Sequence, residues 1–389
     1  MSHPAPPSAP PAPASAKQTA PVLPAWPFPV GVLGTENQSD YSNAVVMGAA
    51  TVPFPDVKIQ PDGWLRGVWF DINAVTAGNA ATVAFNPDAP QNSINSVLFR
   101  DTGGEQIFGP FNGYDWGTAN KFGGYQAQGD PRADNQFFAT AGAGATGGSF
   151  HMSLYLPLEI SAADSLGDVE NRSENSIYRV SIVLDTTATV YATAPTTPPT
   201  VTIQTTQDSY TEPVAAMSLS GRPVSQAPPA PGTLQYWKQE NPVVPAAAFS
   251  ALITNGIGNG YRNIIFKLVR TAGTRANGDA DFPDPFEVTL GTTRTRYNKK
   301  ATWKDKMARN FQLTNTTADT ANGLENGVYV MWFNQDVGIK PGDEARRRYQ
   351  RTKTGNTYKT RGTYANAGTL FITSNYVVPK DNNFSQVVA

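Results

Sequence analysis

The chain has 389 residues, a net charge of −1, and many residues that favour turns, with 34 Gly and 32 Pro. It contains no Cys and only 2 His, which excludes a disulfide framework, a thiolate zinc site, a cysteine nucleophile and a three-histidine metal site. Hydrophobic residues make up 40% of the chain and charged residues 16%, against about 25% charged in an average domain. The composition predicts a folded core under a surface rich in uncharged polar residues.

Proline dominates the start of the chain, where ten prolines fall within the first 29 residues. Proline lacks an amide hydrogen and clashes with the preceding turn, so we expect an extended, polyproline-like arm over residues 1–39 rather than a helix. Two interpretations stay open. The arm is a loose tail, or it becomes ordered on a neighbouring subunit with Trp26 and Phe28 as its anchors.

From about residue 44 the chain consists of short runs rich in Val, Ile, Thr, Phe and Tyr, separated by turn residues, which is typical of an all-β protein. In residues 177–185 polar and apolar side chains alternate, as expected for a strand with one buried face. Residues 131–140 resemble a short helix that starts at a proline. The predicted strands of this part are 45–59, 64–75, 81–85, 94–100, 106–111, 150–160, 177–185, 189–193 and 199–206.

A second proline-rich stretch at residues 223–231 predicts a linker over residues 207–243. Beyond it, Trp303, Met307 and Phe311 recur at helical spacing and predict a helix over residues 301–312. The predicted strands here are 249–254, 261–270, 286–290, 328–335 and 368–378. The linker would separate a first domain, residues 40–206, from a second domain, residues 244–389.

The two halves follow the same order of features at a spacing of about 195 residues, which is too long for a solenoid repeat. Residues 62–66 (DGWLR) and 259–263 (NGYRN) each open a long strand. We therefore expect two consecutive sandwiches of the same kind, and eight-stranded jelly rolls are antiparallel sandwiches of this size.

Charge is divided unequally between the halves. Residues 1–205 hold 8 Lys and Arg against 17 Asp and Glu, whereas residues 206–389 hold 22 against 14. This separation predicts that an acidic and a basic domain meet, either within one chain or between neighbouring chains.

A basic run near the C-terminus is the most distinctive candidate site. It continues to residue 361 without an acidic residue and includes Tyr349 and Tyr358. Three interpretations stay open: the run binds nucleic acid phosphates, it contacts the acidic half of a neighbouring subunit, or it is a solvated loop. The run begins with Arg346, Arg347, Arg348, Arg351 and Lys353, the candidate contact residues, and continues to Lys359 and Arg361.

Other motifs favour structure over chemistry. Residues 142–147 match G-x-G-x-x-G but follow a predicted helix and precede a strand, the reverse of a dinucleotide site, so we expect a loop. The acidic residues at 279, 281 and 284 lack the calcium-binding loop pattern. Asp168, Glu170 and Glu174 are candidates for a glycosidase carboxylate pair, but a polar turn is expected. We predict no catalytic residue, no cofactor and no metal.

Several segments resemble double jelly-roll major capsid proteins of tailless, membrane-containing, icosahedral double-stranded DNA phages, the tectivirus-like group. Residues 95–107 lead into residues 111–116 (FNGYDW), which are similar to the strand–turn–strand and "GYD" stretch of that family. Residues 156–160 and 178–182 are similar to two late strands of its first barrel. Residues 367–373 look like its closing strand.

The resemblance implies a structural protein without enzymatic activity: an all-β chain of two eight-stranded jelly rolls with short helices in loops and a proline-rich arm. It also implies a homotrimer that forms a pseudo-hexagonal capsomer, and a location in the virion after assembly in the host bacterial cytoplasm. The implied partners are neighbouring trimers, penton and minor capsid or membrane proteins, and an internal membrane beneath the shell, with no specific nucleic acid. Some members carry an N-terminal amphipathic helix that touches the membrane, which this proline-rich start cannot form.

Two alternatives remain at this stage. The low charge and the 7 Trp are also compatible with a carbohydrate-binding or carbohydrate-cleaving protein, which would expose Trp in a groove. A receptor-binding spike of a virion is the third interpretation. A capsid protein would instead bury most of its Trp in barrels or at subunit contacts.

Overall fold

Strands dominate the computed structural model. It describes residues 24–77, 79–126, 137–214, 216–219, 221–229, 234–271, 275, 280–313, 325–334, 344 and 346–378. The prediction of an all-β chain with few short helices is confirmed.

The first half contains fourteen strands, two α-helices and two short 3-10 helices among its described residues. The strands are β1 (Gly34–Val46), β2 (Val52–Pro53), β3 (Val57–Lys58), β4 (Trp64–Val75), β5 (Asn79–Phe85), β6 (Ile94–Arg100), β7 (Gln106–Phe111), β8 (Phe138–Ala139), β9 (Gly142–Gly144), β10 (Phe150–Pro157), β11 (Val169–Glu170), β12 (Arg179–Leu184), β13 (Tyr191–Thr193) and β14 (Thr200–Tyr210). The helices are α1 (Gly113–Gly123) and α2 (Thr187–Val190), with 3-10 turns at Phe28–Val30 and Gln91–Ser93.

The second half has ten described strands, one α-helix and one 3-10 turn. They are β15 (Leu234–Glu240), β16 (Val243–Val244), β17 (Ala248–Ile253), β18 (Gly260–Arg270), β19 (Phe286–Leu290), β20 (Thr293–Asn298), α3 (Lys300–Phe311), β21 (Val328–Trp332), the 3-10 turn Arg346–Arg348, β22 (Gln350–Arg351), β23 (Tyr358–Thr363) and β24 (Gly368–Val378).

Each half forms two four-stranded layers from eight principal strands. In the first half, with β2 and β3 counted as one interrupted strand, the layers run β1-β14-β4-β10 and β2/β3-β12-β6-β7. In the second half they run β15-β24-β18-β21 and β17-β23-β19-β20. Both halves therefore share the antiparallel strand order 1-8-3-6 in one layer and 2-7-4-5 in the other. The predicted duplication of one eight-stranded sandwich is confirmed.

The strands form because their side chains alternate between the barrel interior and solvent. In β14, Val201, Ile203 and Thr205 are buried, while Thr200 before them and Gln204 between the last two are exposed. Such period-two patterns place one face of each strand in a core and leave the other polar. β18 differs, because its first nine residues are all buried. That strand lies in the middle of a sheet and is covered on both faces.

The two longer helices occupy equivalent places, because α1 follows the fifth principal strand of the first half and α3 follows the fifth of the second. The side chain of Asn112 caps α1 by accepting a hydrogen bond from the amide of Asp115 at 2.8 Å. Gly124 ends the helix in the left-handed region, at φ 85°. The sequence prediction missed α1.

The predicted helix at 131–140 is wrong where the structure describes it, because Phe138–Ala139 is a short strand, and residues 131–136 lie outside the described residues. The predicted strand 45–59 is broken into β1, β2 and β3. β15 lies inside the predicted linker 207–243, and β14 extends to Tyr210. Part of that stretch is therefore barrel, and the predicted domain boundaries stay a prediction.

Candidate assembly surfaces

The two halves are joined at one strand pair. β7, the fifth principal strand of the first half, lies parallel to β15, the first of the second half, at Phe108 and Trp237. The two rings lie 6.4 Å apart, edge to face, and both side chains are fully buried. This contact continues the second layer of the first barrel into the first layer of the second, as one eleven-stranded sheet.

Helix α1 fills the corner beside this junction. Ten of its eleven residues are buried, and its Trp116 donates a hydrogen bond to the carbonyl of Tyr155 at 2.7 Å. On the other side, Asn263 of β18 donates to the carbonyl of Phe122 at 2.8 Å, and the Phe122 ring packs edge to face on Phe311 of α3. The helix therefore packs against both barrels.

Ion pairs cross between the halves. Lys267 pairs with Asp115, and Lys121 pairs with Glu325; all four side chains are buried. The described residues contain three further pairs between the halves: Arg275 with Asp88, Arg346 with Asp164, and Lys238 with Glu105. In four of these five pairs the acid belongs to the first half and the base to the second. The acidic and basic halves predicted from the sequence thus meet within one chain.

A buried arginine ties the two barrels together near the junction. Arg262 donates to the side-chain oxygens of Gln235 and Asn375, each at 2.7 Å, and to the Tyr125 hydroxyl at 3.1 Å. Its other nitrogens donate to Glu344 at 2.9 and 3.0 Å. Burial acts to lower the pKa of Arg262, but the Glu344 carboxylate holds it above its usual value. The guanidinium therefore stays charged, and each of its three nitrogens donates a hydrogen bond.

A cavity of about 110 Å³ lies next to Arg262. Ligand pockets for drug-sized molecules measure about 300–1,000 Å³, so this space holds only a few waters. It is lined by Gly123, Gly124, Tyr125, Glu159, Ile160, Ser161, Ala162, Arg262, Asn334 and Glu344.

Two buried carboxyl groups lie in the same region of the first barrel. Glu159 accepts hydrogen bonds from Arg66 at 2.9 and 3.2 Å. Asp168 is 2% exposed, and neither of its carboxylate oxygens has a hydrogen-bond partner among the described residues. Burial, and then the Glu159 charge, raise the pKa of Asp168 well above its usual value. Such a carboxyl group is most stable in its protonated form.

The start of the described chain packs on the predicted linker. The amide of Trp26 donates to the carbonyl of Pro223 at 2.8 Å, and the Arg222 guanidinium lies 4.4 Å from the Trp26 ring centre. Trp26 remains 39% exposed. Phe28 is fully buried within this same chain, where its ring meets the rings of Trp64 and Tyr210. Of the two predicted anchors, only Trp26 presents its ring to solvent.

The chain is similar to known proteins in its structure but not in its sequence. No protein-family model matches the chain, and no curated protein matches it in sequence. The major capsid protein (MCP) of STIV matches with a TM-score of 0.56 and 14% identity, over 92% of this chain and 99% of that chain. The atomic structure of Sulfolobus turreted icosahedral virus gives a TM-score of 0.56 and 13% identity over 91% and 96%. The major capsid protein of bacteriophage PM2 gives 0.53 and 11% over 90% and 99%.

The fold is a double jelly roll. The strand orders of both barrels and the match over nine-tenths of the chain lead to the same assignment. The predicted fold class is therefore confirmed.

The double jelly roll places the predicted basic residues along the second barrel. Arg346 pairs with Asp164 of the first barrel at 2.6 Å, whereas Arg348, Arg351 and Lys353 are exposed. The side chain of Arg347 lies outside the described residues. Of the five basic candidate contact residues, one thus contacts the first barrel and three are exposed to solvent.

The remaining motifs are structural parts of the double jelly roll. Residues 142–144 form strand β9 instead of the predicted loop, and Asp281 pairs with Arg270. Asp168 is buried, whereas Glu170 is exposed and pairs with Arg172, so these two carboxylates do not share one solvent environment.

In the described part of the chain, no three acidic or histidine side chains are grouped to hold a metal ion. No described helix is long and apolar enough to cross a membrane.

Proposed function

We propose that the chain is a viral major capsid protein that trimerises into pseudo-hexagonal capsomers and builds an icosahedral shell. The observation that carries this proposal is the double jelly roll, which spans nine-tenths of the chain and which solved viral major capsid proteins share. Two barrels in one chain supply six barrels in a trimer, and six barrels tile a surface as a hexagon does. In this role the chain performs no catalysis.

Burial of the tryptophans supports a capsid role over carbohydrate binding. A sugar site exposes Trp on one sheet, but four of the seven Trp are at most 5% exposed, and all seven lie in described residues. These four are Trp64, Trp116, Trp237 and Trp303. A surface hollow of about 490 Å³ on the second barrel is lined by Phe249 and no Trp. The aromatic side chains therefore build the barrels and their junction.

The finer assignment is part of the same proposal. The shell belongs to a tailless, membrane-containing double-stranded DNA phage, is assembled in the host bacterial cytoplasm, and encloses a lipid membrane. The partners are neighbouring trimers, penton proteins and minor capsid or membrane proteins. These specifics rest on the sequence resemblance of residues 95–116 and of the late strands.

The experiment is a measurement of native mass by size-exclusion chromatography with light scattering. A trimer of the 41.7 kDa chain has a mass of about 125 kDa. A species of that mass at micromolar concentration is the expected result. A chain that stays at 41.7 kDa at every concentration would contradict the proposal.

A further inference from the structure

β1 and β20 are two of the strands that end a sheet with one side unpaired among the described residues. β1 pairs with β14 only, and β20 pairs with β19 only. Unpaired edge strands present free amide and carbonyl groups, and assembly with another chain is one way to cover them. β1 is the first principal strand of the first barrel, and β20 is the fifth of the second.

The same two positions are joined inside the chain. There the fifth strand of barrel one, β7, lies parallel to the first strand of barrel two, β15. Because both barrels share one strand order, β20 corresponds to β7, and β1 corresponds to β15. A second copy can therefore repeat the internal junction by placing its β1 beside β20 of the first copy. Such a head-to-tail contact joins unlike surfaces and closes into a ring when the rotation allows.

The faces of the strands support this correspondence. Trp237 of β15 and Glu36 of β1 lie opposite residues that alternate with the core residues of β24 and β14, so both lie on the outer faces of their layers. Phe108 of β7 and Arg296 of β20 lie opposite buried core residues on the inner faces of theirs. Arg296 and Glu36 therefore take the places of Phe108 and Trp237.

The layers that end in these edges carry opposite charge. The layer of the first barrel with β1 contains one basic residue, Arg66, and four acidic residues, Glu36, Asp40, Asp71 and Asp208. The layer of the second barrel with β20 contains one acidic residue, Glu287, and four basic residues, Arg294, Arg296, Lys359 and Arg361. Opposite charges on the two surfaces favour contact between copies and disfavour contact of either surface with itself.

Each edge also holds two like charges close together. Glu36 lies directly opposite Asp208 on the neighbouring strand, an arrangement that destabilises a sheet. Burial raises the pKa of Asp208 to about 6, and the Glu36 charge adds to the rise. On the other edge, burial lowers the pKa of Arg296, and the charge of Arg348 lowers it further. Neither Glu36 nor Arg296 has an ion-pair partner among the described residues.

We propose that β20 of one copy lies parallel to β1 of a second copy, with Arg296 beside Glu36 and facing the Glu36–Asp208 pair. This contact rests on the proposed self-assembly and defines its partner as a second copy of this chain. Each added copy relieves the like-charge repulsion on both edges. Arg348, one of the predicted contact residues, contributes its charge to the same edge.

A charge exchange tests the pairing. Arg296→Glu and Glu36→Arg are each expected to weaken self-association at least about tenfold, because each places like charges across the contact. The double variant carries the exchanged pair at every contact and is expected to regain most of the association. Lys306→Glu, an equal charge change at an exposed position of α3, is the control and is expected to leave association unchanged. Native mass against concentration is the readout, with circular dichroism to verify folding.

Cysteine cross-linking is the second measurement, since the chain has no Cys of its own. In this register Thr295 lies beside Thr35, so Thr35→Cys and Thr295→Cys chains are expected to form a disulfide-linked dimer when mixed and oxidised, but not when oxidised separately. Thr35→Cys mixed with Ser173→Cys, an exposed position elsewhere, is the control.

The outcomes separate the two proposals. If the wild type assembles, but the folded single variants assemble equally well or the mixed cysteines do not link, the β1–β20 contact is wrong and self-assembly stands. If separate oxidation of one cysteine variant links it to itself, the contact is between identical edges and the head-to-tail proposal fails. If the wild type remains a monomer, the proposed function fails with it.

Discussion

Phe108 and Trp237 are the two residues at which the barrels share a sheet. Their rings meet edge to face at 64°, and they lie at the third residue of β7 and the fourth of β15. Aromatic pairs of this geometry add about 0.5–1.5 kcal/mol beyond the area that they bury. Since Phe108 also meets Phe111 and Trp116, the junction extends directly into the core of the first barrel.

Removal of the Trp237 ring tests the junction. Trp237→Ala leaves a large buried cavity between barrels and is expected to lower the free energy of unfolding by about 3–5 kcal/mol. The control, Trp26→Ala, removes the same ring from an exposed position, and a loss below about 1 kcal/mol is expected. Urea denaturation of both variants gives the comparison. Equal losses would show that the junction does not stabilise the chain.

The buried pair Lys121–Glu325 makes a second prediction. Lys121→Met removes the buried cation that pairs with Glu325, and the free energy of unfolding is expected to fall by about 3–5 kcal/mol. Lys58→Met makes the same change at an exposed strand residue and is expected to cost less than about 1 kcal/mol. Thermal and urea unfolding measure both variants. If Lys58→Met loses more stability than Lys121→Met, the buried ion pair does not stabilise the junction.

The buried Asp168 carboxyl predicts a pH dependence. Its folded pKa is raised by burial and by Glu159, so the folded chain holds the proton more tightly than the unfolded chain. Its contribution to stability is therefore fully present below the unfolded pKa of about 3.9 and is lost as pH rises through the folded pKa. Asp168→Asn cannot ionise and is expected to be more stable than the wild type by about 1–3 kcal/mol at the alkaline end.

The measurement for Asp168 is a series of unfolding curves from about pH 4 to pH 8. The difference in free energy of unfolding between Asp168→Asn and the wild type is expected to widen as pH rises. Glu174→Gln, at an exposed position, controls for the loss of a charge. A gap that is constant or narrows with pH would show that Asp168 ionises normally in the folded chain.

Helix α1 offers a comparison of two glycines. Alanine normally stabilises a helix by up to about 1 kcal/mol relative to glycine. A Cβ at Gly113 would lie 2.0 Å from the backbone oxygen of Gln91, so Gly113→Ala is expected to lose about 1–3 kcal/mol. A Cβ at Gly117 would meet only the end of the Gln91 side chain at 2.9 Å, which can move away. If Gly113→Ala is the more stable variant in urea, the tight contact of α1 with residue 91 is wrong.

Strands with regular alternation were predictable from sequence. The predicted ranges 64–75, 94–100, 106–111, 286–290 and 368–378 match the observed strands residue for residue. Their buried and exposed positions are set by the period of the strand itself, so neighbouring residues contain the information. The duplication of the barrel was predictable because similar residues begin the strands that start at Trp64 and Gly260.

Helix α1 and strand β15 were missed for physical reasons. α1 is buried on all sides and contains three glycines, so it lacks the polar face that identifies a helix in a sequence. β15 follows a proline-rich stretch and was included in the linker. The sequence predicted that acidic and basic halves meet but not which residues pair, because Lys121 and Glu325 lie 204 residues apart and only the folded chain brings them together.

Electron cryomicroscopy of the purified, assembled protein tests whether three copies of this chain form one pseudo-hexagonal ring of six jelly rolls. The expected particles contain three copies and six barrels, and they alternate between the β7–β15 junction within a chain and a β20–β1 junction between chains. Particles that contain another number of copies, or single two-barrel molecules at every concentration, would contradict this arrangement.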